Sequence, residues 1–387
     1  MKVKGKFSSY PRFFVSRLHR DWRRRGLGDI VSWDTVKERE LAPGCTALVG
    51  MSHRMPHVLL ANLACLAENA ADTLQEAIVV VDSVEGCLPP DLEARAQEVS
   101  RNLPVRFFYY SEHQSQRADR IALPYLYSWL SWSIAISHCR TKTILLHDYD
   151  ALILDDALDR RYRNFLKSNT LVQGIRWYNG SGLVPEDRLA TTFEAFIDLE
   201  WLRAYPPIRL FNRIAWKDGR TVDYDTLLDL QANEAAVSQR AIEPMSSDSL
   251  MHPSQMVHQY TMARRTPGAA MPVGSLPMVP FFEWLGGRVD ALDDATARVV
   301  GASGRSVKFF EDLEVNFSLL GVPQVDWCLK QMLQACLSLG RDPGPSLYKY
   351  GKALYRLVDS RPEEVWRGDF TPAQRAWIDR EARSLAV

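Results

Sequence analysis

From residue 47 onward the chain alternates short continuous apolar runs with stretches whose apolar residues recur at helical spacing. The runs are residues 47–51 (ALVGM), 77–81 (AIVVV), 105–110 (VRFFYY) and 143–146 (TILL). Between them Leu59, Leu63 and Leu66 share one helical face, residues 91–100 have helical composition, and a Trp- and Leu-rich helix is predicted over 123–136. Short apolar strands separated by helices belong to a sheet covered on both faces. The pattern therefore predicts an α/β fold, a Rossmann-type, mostly parallel sheet flanked by helices. Crossovers of this kind are right-handed, so ligands should gather at the carboxyl ends of the strands.

Downstream the pattern predicts a helix over 158–167, a strand over 171–175 and a two-glycine loop over 177–185. A strand at 192–197 then leads into a short helix at 199–203, which Tyr205-Pro206-Pro207 ends. Residues 226–241 read as helix and 266–305 as loop-rich. Amphipathic helices follow at 325–339 and 345–358, and a last helix starts near Thr371, where Thr-Pro supplies an N-cap and a first-turn proline.

Ahead of this series, residues 1–43 form a basic appendage. Residues 1–25 hold nine Lys and Arg against one acid, Asp21. Phe14, Leu18 and Trp22 recur every four residues and share a helical face, with Arg17, Arg20 and Arg24 around it. Such a helix either lies on an anionic membrane surface or docks on the main domain through those three side chains.

Bulk composition narrows the class. With 46% apolar and 24% charged residues the chain is globular, and 387 residues suffice for one large core plus an appendage or for two modest domains. Lys plus Arg equals Asp plus Glu at 47 each, so overall charge gives no pointer to nucleic acid. Six scattered cysteines without a CxxC pair read as reduced, mostly buried thiols in a cytoplasmic protein. No apolar stretch reaches the length of a membrane span, and no signal-peptide pattern follows the basic start.

The chemistry concentrates at residues 141–154, where an apolar strand ends in Asp148-Tyr149-Asp150 and another apolar segment follows. In an extended chain alternate side chains point the same way, so Asp148 and Asp150 can converge. Two converging acids repel unless a cation offsets them, and a hard divalent ion shared with substrate phosphates does so. The plainer alternative is a pair of solvated acids at the start of a turn. His147 points to the opposite face and is expected to be packed.

The stretch ILLHDYDALIL resembles the DxD strand of GT-A-fold glycosyltransferases, and the order of elements extends the resemblance over residues 45–265. It implies a domain at 44–265 that binds a nucleoside-diphosphate sugar with Mn²⁺ or Mg²⁺, completed by a helical region at 266–387. It implies transfer to an acceptor hydroxyl on a glycan or glycolipid, with peripheral contact to an anionic inner membrane face through residues 1–25. Asp148 and Asp150 would bind the metal with a late histidine, His252 or His258. Ser52, in Ser52-His53-Arg54, would begin to enclose the nucleoside. Asp82 would face base or ribose, and Arg117 or Arg120 the diphosphate, as a planar guanidinium suits phosphate oxygens. Asp82 as a turn cap and the arginines as surface residues are the plainer readings. Asp223 or Asp225 would be the general base of an inverting reaction, with Glu194 a second candidate. Asp225 also reads as the N-cap of the helix that follows. Trp177 and Tyr178 are placed either to stack on an acceptor sugar or to pack in the core.

A phosphate loop, a GxGxxG turn and an HExxH helix are absent from the sequence, and Arg54 stands where a nucleophile elbow needs glycine. A nucleotidyltransferase, or a non-catalytic membrane-associated scaffold on the same fold, remains as the alternative.

Overall fold

The computed structural model describes residues 4–121, 123–310, 313–359, 365–366 and 368–385. The chain divides into two compact units. One comprises Met1–Pro56, Ala70–Tyr149 and Ala157–Met245; the other comprises His57–Asn69, Asp150–Asp156 and Ser246–Val387.

The first unit is built on a seven-stranded sheet of β1 (Ala42–Met51), β2 (Leu74–Val81), β3 (Val105–Tyr109), β4 (Thr141–Asp148), β5 (Val172–Gly174), β6 (Ala195–Asp198) and β7 (Arg240–Ile242). Their order is β7-β5-β6-β4-β1-β2-β3. Neighbours among β1 to β4 pair in parallel, as do β5 and β7, while β6 is antiparallel to both β4 and β5. The expected mostly parallel sheet is present. Leu48, Ile78, Val80, Ile144 and Leu146 alternate onto one face and join a buried cluster with Leu126, Trp129 and Leu130. Ala47, Val49, Val79, Val81 and Leu145 on the other face are equally inaccessible. Burial on both faces is why these strands read as unbroken apolar runs.

In chain order the first six helices are α1 (Tyr10–Arg25), α2 (Pro56–Asn69), α3 (Leu92–Ser100), α4 (Glu112–Ile121), α5 (Pro124–His138) and α6 (Ala157–Lys167). Helix α4 was not expected from the sequence; its composition is polar and only Ala118 is buried. Helix α5 packs against β1, where Gly50 makes the approach possible. A Cβ on Gly50 would stand 2.9 Å from the Ser131 Cβ. Register places Gly50 beside Asp148, Met51 beside Val81, and Val81 beside Tyr109. The carboxyl ends of the four parallel strands thus form one edge.

Lys4–Gly5 pairs parallel to Arg220–Tyr224, which pairs antiparallel to Arg213–Lys217. Helix α1 packs here through Phe13, which is 2% exposed and meets Phe7 and Trp216 edge-on with centroids 6.0 Å away. The alternative in which Phe14, Leu18 and Trp22 dock the helix is corrected. They are 52%, 68% and 70% exposed. The helix expected over 226–241 is also shorter. It spans Leu228–Glu234, and the chain then extends into β7.

In the second unit Leu152–Ile153 pairs antiparallel with Leu250–Met251, and Ser306–Phe310 pairs with Leu313–Asn316. Helices Val322–Ser338, Gly344–Val358 and Pro372–Ser384 match the expected C-terminal helices. Thr371 caps the last, its hydroxyl accepting from the Gln374 N–H at 3.3 Å. The loop-rich reading of 266–305 is corrected in part. Helices Val279–Leu285 and Ala291–Val300 lie within it, burying Phe281, Phe282 and Leu292. Among the described residues no helix is long and apolar enough to cross a membrane.

Candidate active site

Asp148 is the last residue of β4 and sits half-buried at the carboxyl edge. His147 before it turns inward, is fully buried and pairs through Nδ1 with the Glu194 carboxylate, as the alternation along the strand requires. The Arg161 guanidinium donates to the Glu194 carbonyl at 2.7 Å. Glu194, 0% exposed and engaged with His147, has no route to an acceptor; its reading as an alternative base is corrected.

Asp150 is 5% exposed, and the backbone after it is fixed by two buried or half-buried amides. Asn62 donates to the Ala151 carbonyl at 2.7 Å, and Asn69 donates to that of Ile153 at 2.9 Å. Met251 pairs opposite Leu152, so the next residue, His252, emerges beside Asp150. Its Nε2 lies 3.5 Å from Asp150 Oδ1. Asp148 is joined to Asp150 through Tyr149 alone, so the chain itself keeps the two carboxylates close. One ligand atom from each of Asp148, Asp150 and His252 lies within 4.8 Å of the others. Ligands about 2.1 Å from a common ion stand roughly 3–4 Å apart, a separation that lies inside this bound. Two carboxylates and one imidazole suit Mn²⁺ or Mg²⁺, and the donor set fits. His258 lies exposed on helix Met256–Arg265, outside this group.

Asp223 and Asp225 flank the end of the strand Arg220–Tyr224. The Asp223 carboxylate is buried and accepts from Arg20 of α1 at 3.3 Å. Burial raises its pKa, and Arg20 and Lys6 oppose the rise. Burial lifts Asp225 further, to about 6; the charges of Asp223 and Asp148 add to the rise, while the Thr226 N–H and Arg20 oppose it. The electrostatic coupling of Asp225 to Asp148 ties this acid to the end of β4 within one unit. Burial and the two acids also push the Tyr125 phenol up to about 12, and the Arg20 guanidinium lies over its ring at 5.3 Å. Tyr178 is raised by burial and by Asp225, whereas Trp177 packs on the main core. The N-cap reading of Asp225 is corrected. Its Oδ1 accepts from the adjacent Thr226 N–H at 2.7 Å, and the helix begins only at Leu228, after Leu227 takes φ 72°.

At the neighbouring strand ends, Asp82 Oδ1 accepts from the His53 backbone N–H at 2.7 Å and lies 2.6 Å from His53 Nδ1. This pair ties the end of β1 to the end of β2 and fixes the His53 side chain against Asp82. Ser52 is buried beside it, with its hydroxyl 3.5 Å from the Arg54 N–H. Arg117 is committed elsewhere, donating to the Gly26 carbonyl at 2.8 Å, and Arg120 is exposed on α4. A groove of about 880 Å³ in this unit is lined by Tyr109, Gln114 and His138 among others and contains none of the candidate acids.

Arg20 and Tyr125 were not foreseen as site residues. Arg20 meets Asp223 across more than half the chain, and no local pattern marks such a contact. A signal for His53 existed in the Ser52-His53-Arg54 strand end, but not for its pairing with Asp82.

No family model matches this chain, and no curated relative matches its sequence. Among solved structures it is similar to residues 1–349 of S. aureus TarS, at 12% identity and a TM-score of 0.37, covering 88% of this chain and 90% of that one. It is similar to the mannosyltransferase PcManGT from Pyrobaculum calidifontis, in complex with GDP-Man and Mn²⁺, at 15% identity and a TM-score of 0.31, covering 85% and 95%. A third is the galactosyltransferase LgtC, in complex with donor and acceptor sugar analogs, at 11% identity and a TM-score of 0.37, covering 59% and 84%.

Proposed function

We propose that this chain is a glycosyltransferase that moves a sugar from a nucleoside-diphosphate sugar to an acceptor hydroxyl. The observation that carries the reading is the convergence of Asp148, Asp150 and His252, with Asp225 electrostatically coupled to the first of them. Those three residues would hold Mn²⁺ or Mg²⁺, which supplies positive charge against a departing diphosphate. His53 and Asp82, paired at the ends of β1 and β2, orient the nucleoside. Asp225 accepts the acceptor's hydroxyl proton in an inverting transfer. With a pKa near 6 it is mostly ionised at pH 7 and a stronger base than an ordinary carboxylate. Asp223, held by Arg20, keeps a second negative charge nearby, and Tyr125 and Tyr178 border the acceptor side. All six cysteines are unpaired, which supports a reducing, cytoplasmic setting.

Thermal unfolding with a panel of UDP- and GDP-sugars, with and without Mn²⁺, tests the proposal. At least one donor should raise the transition in the presence of Mn²⁺ and be turned over when acceptors are added. A folded chain whose transition no donor shifts, with or without Mn²⁺, overturns it.

A further inference from the structure

Helix α1 has two faces of different chemistry. Phe13, Arg20 and Arg24 turn inward, onto Trp216, Asp223 and the Ile208 carbonyl respectively. Phe14, Val15, Leu18 and Trp22 turn outward and are 52%, 67%, 68% and 70% exposed. At about 100° per residue these four form one stripe along the helix. Arg12, His19 and Arg23 border it on one side; on the other Arg17 lies 3.7 Å from the Asp21 carboxylate, and Arg25 closes the stripe at its C-terminal end. Four large apolar side chains in a row are costly to leave in water, and single exposed apolar residues do not form such a stripe.

We propose that the outer face of α1 docks on an anionic lipid bilayer, with Phe14, Val15, Leu18 and Trp22 in the interface and the arginines against lipid phosphates. Charge complementarity selects this occupant. A second copy of the helix, stripe against stripe, would bring Arg12, Arg23 and Arg25 against a surface that offers only one acid, Asp21, already paired with Arg17. An anionic bilayer supplies apolar depth beneath the stripe and negative charge for Arg12 and Arg23 at its border and Arg25 at its end. The inner face adds a consequence that rests on the proposed glycosyl transfer. Because Arg20 bonds Asp223 from the same helix, docking sets the acceptor-side acids beside the membrane surface, and the acceptor is a lipid-linked glycan or lipid headgroup rather than a freely diffusing sugar.

Flotation of the full chain with phosphatidylcholine vesicles, with and without phosphatidylglycerol, tests the docking independently of any activity. Binding should require phosphatidylglycerol and fall with salt, each interfacial arginine contributing roughly fivefold. The variant F14S/L18S/W22S should keep the wild-type melting profile and bind at least about tenfold more weakly. Charge reversal around the stripe, R12E/R23E/R25E, should lose binding comparably and serves as the second test should the first variant misfold. Equal binding to both vesicle types, no binding to either, or a concentration-dependent dimer that F14S/L18S/W22S dissociates would overturn the proposal. If docking holds but no sugar donor is used, the membrane surface stands and the lipid-linked acceptor falls.

Discussion

Replacing Asp225 with asparagine should trade activity for stability, and the structure sets the size of both effects. The carboxyl's rise from an ordinary 3.8 to about 6 means that its ionised form is disfavoured in the folded chain. Such a rise corresponds to about 3 kcal/mol at most, since each pKa unit is worth about 1.4 kcal/mol. The sign follows from proton uptake. The folded chain takes up its proton near pH 6 and the unfolded chain near pH 4, so this group adds stability as pH falls through that window and withholds it above pH 6. Asparagine has no charge to bury. D225N should therefore melt several degrees higher than wild type at pH 8, and the gap should close by about pH 4. Melting is followed in EDTA, because a bound cation would offset the Asp148 charge that contributes to the rise. Transfer, measured with a competent donor, should fall by roughly 10²–10⁴ as a general base is lost. A variant less stable than wild type at pH 8, or a gap that does not depend on pH, would show that Asp225 is not an electrostatically strained carboxylate.

Three further outcomes follow from named contacts. His53→Ala or Asp82→Asn, which break the pair at the ends of β1 and β2, should raise the KM for donor with a smaller effect on kcat, as measured by initial rates across donor concentration. Asn62→Leu strips the Ala151 carbonyl of its buried donor; urea denaturation should show a loss of about 1–3 kcal/mol, and Mn²⁺ affinity should drop about tenfold or more. Gly50→Ala forces its new methyl against the Ser131 Cβ, 2.9 Å away, and should cost about 1–3 kcal/mol, with S131G restoring part of the loss.

The parallel strands were legible because burial on both faces leaves unbroken apolar runs, and the position of Asp148 at a strand end followed from the run that precedes it. The inward turn of His147 was legible from alternation alone. His252 was visible only as one of two histidines; the pairing of Leu250–Met251 with Leu152–Ile153 distinguishes it from His258, and a two-residue ladder carries no sequence signature. Helix α4 escaped notice because its one buried residue makes no apolar period. Asp225 resembled a cap because acid followed by Thr looks like a helix start, but Leu227 first passes through a left-handed turn. On α1 the spacing of Phe14, Leu18 and Trp22 defined a face without saying whether it met protein or solvent. Phe13, one position away, took the buried place.

The shared cation can be measured directly by following free Mn²⁺ with electron paramagnetic resonance as the chain is titrated, with and without UDP. The wild-type chain should bind one ion, more tightly with the nucleotide present, and D148N/D150N should bind none at that site while melting as a folded protein. Undiminished Mn²⁺ binding by the double variant, or none by wild type even with UDP, would contradict a metal held by these carboxylates.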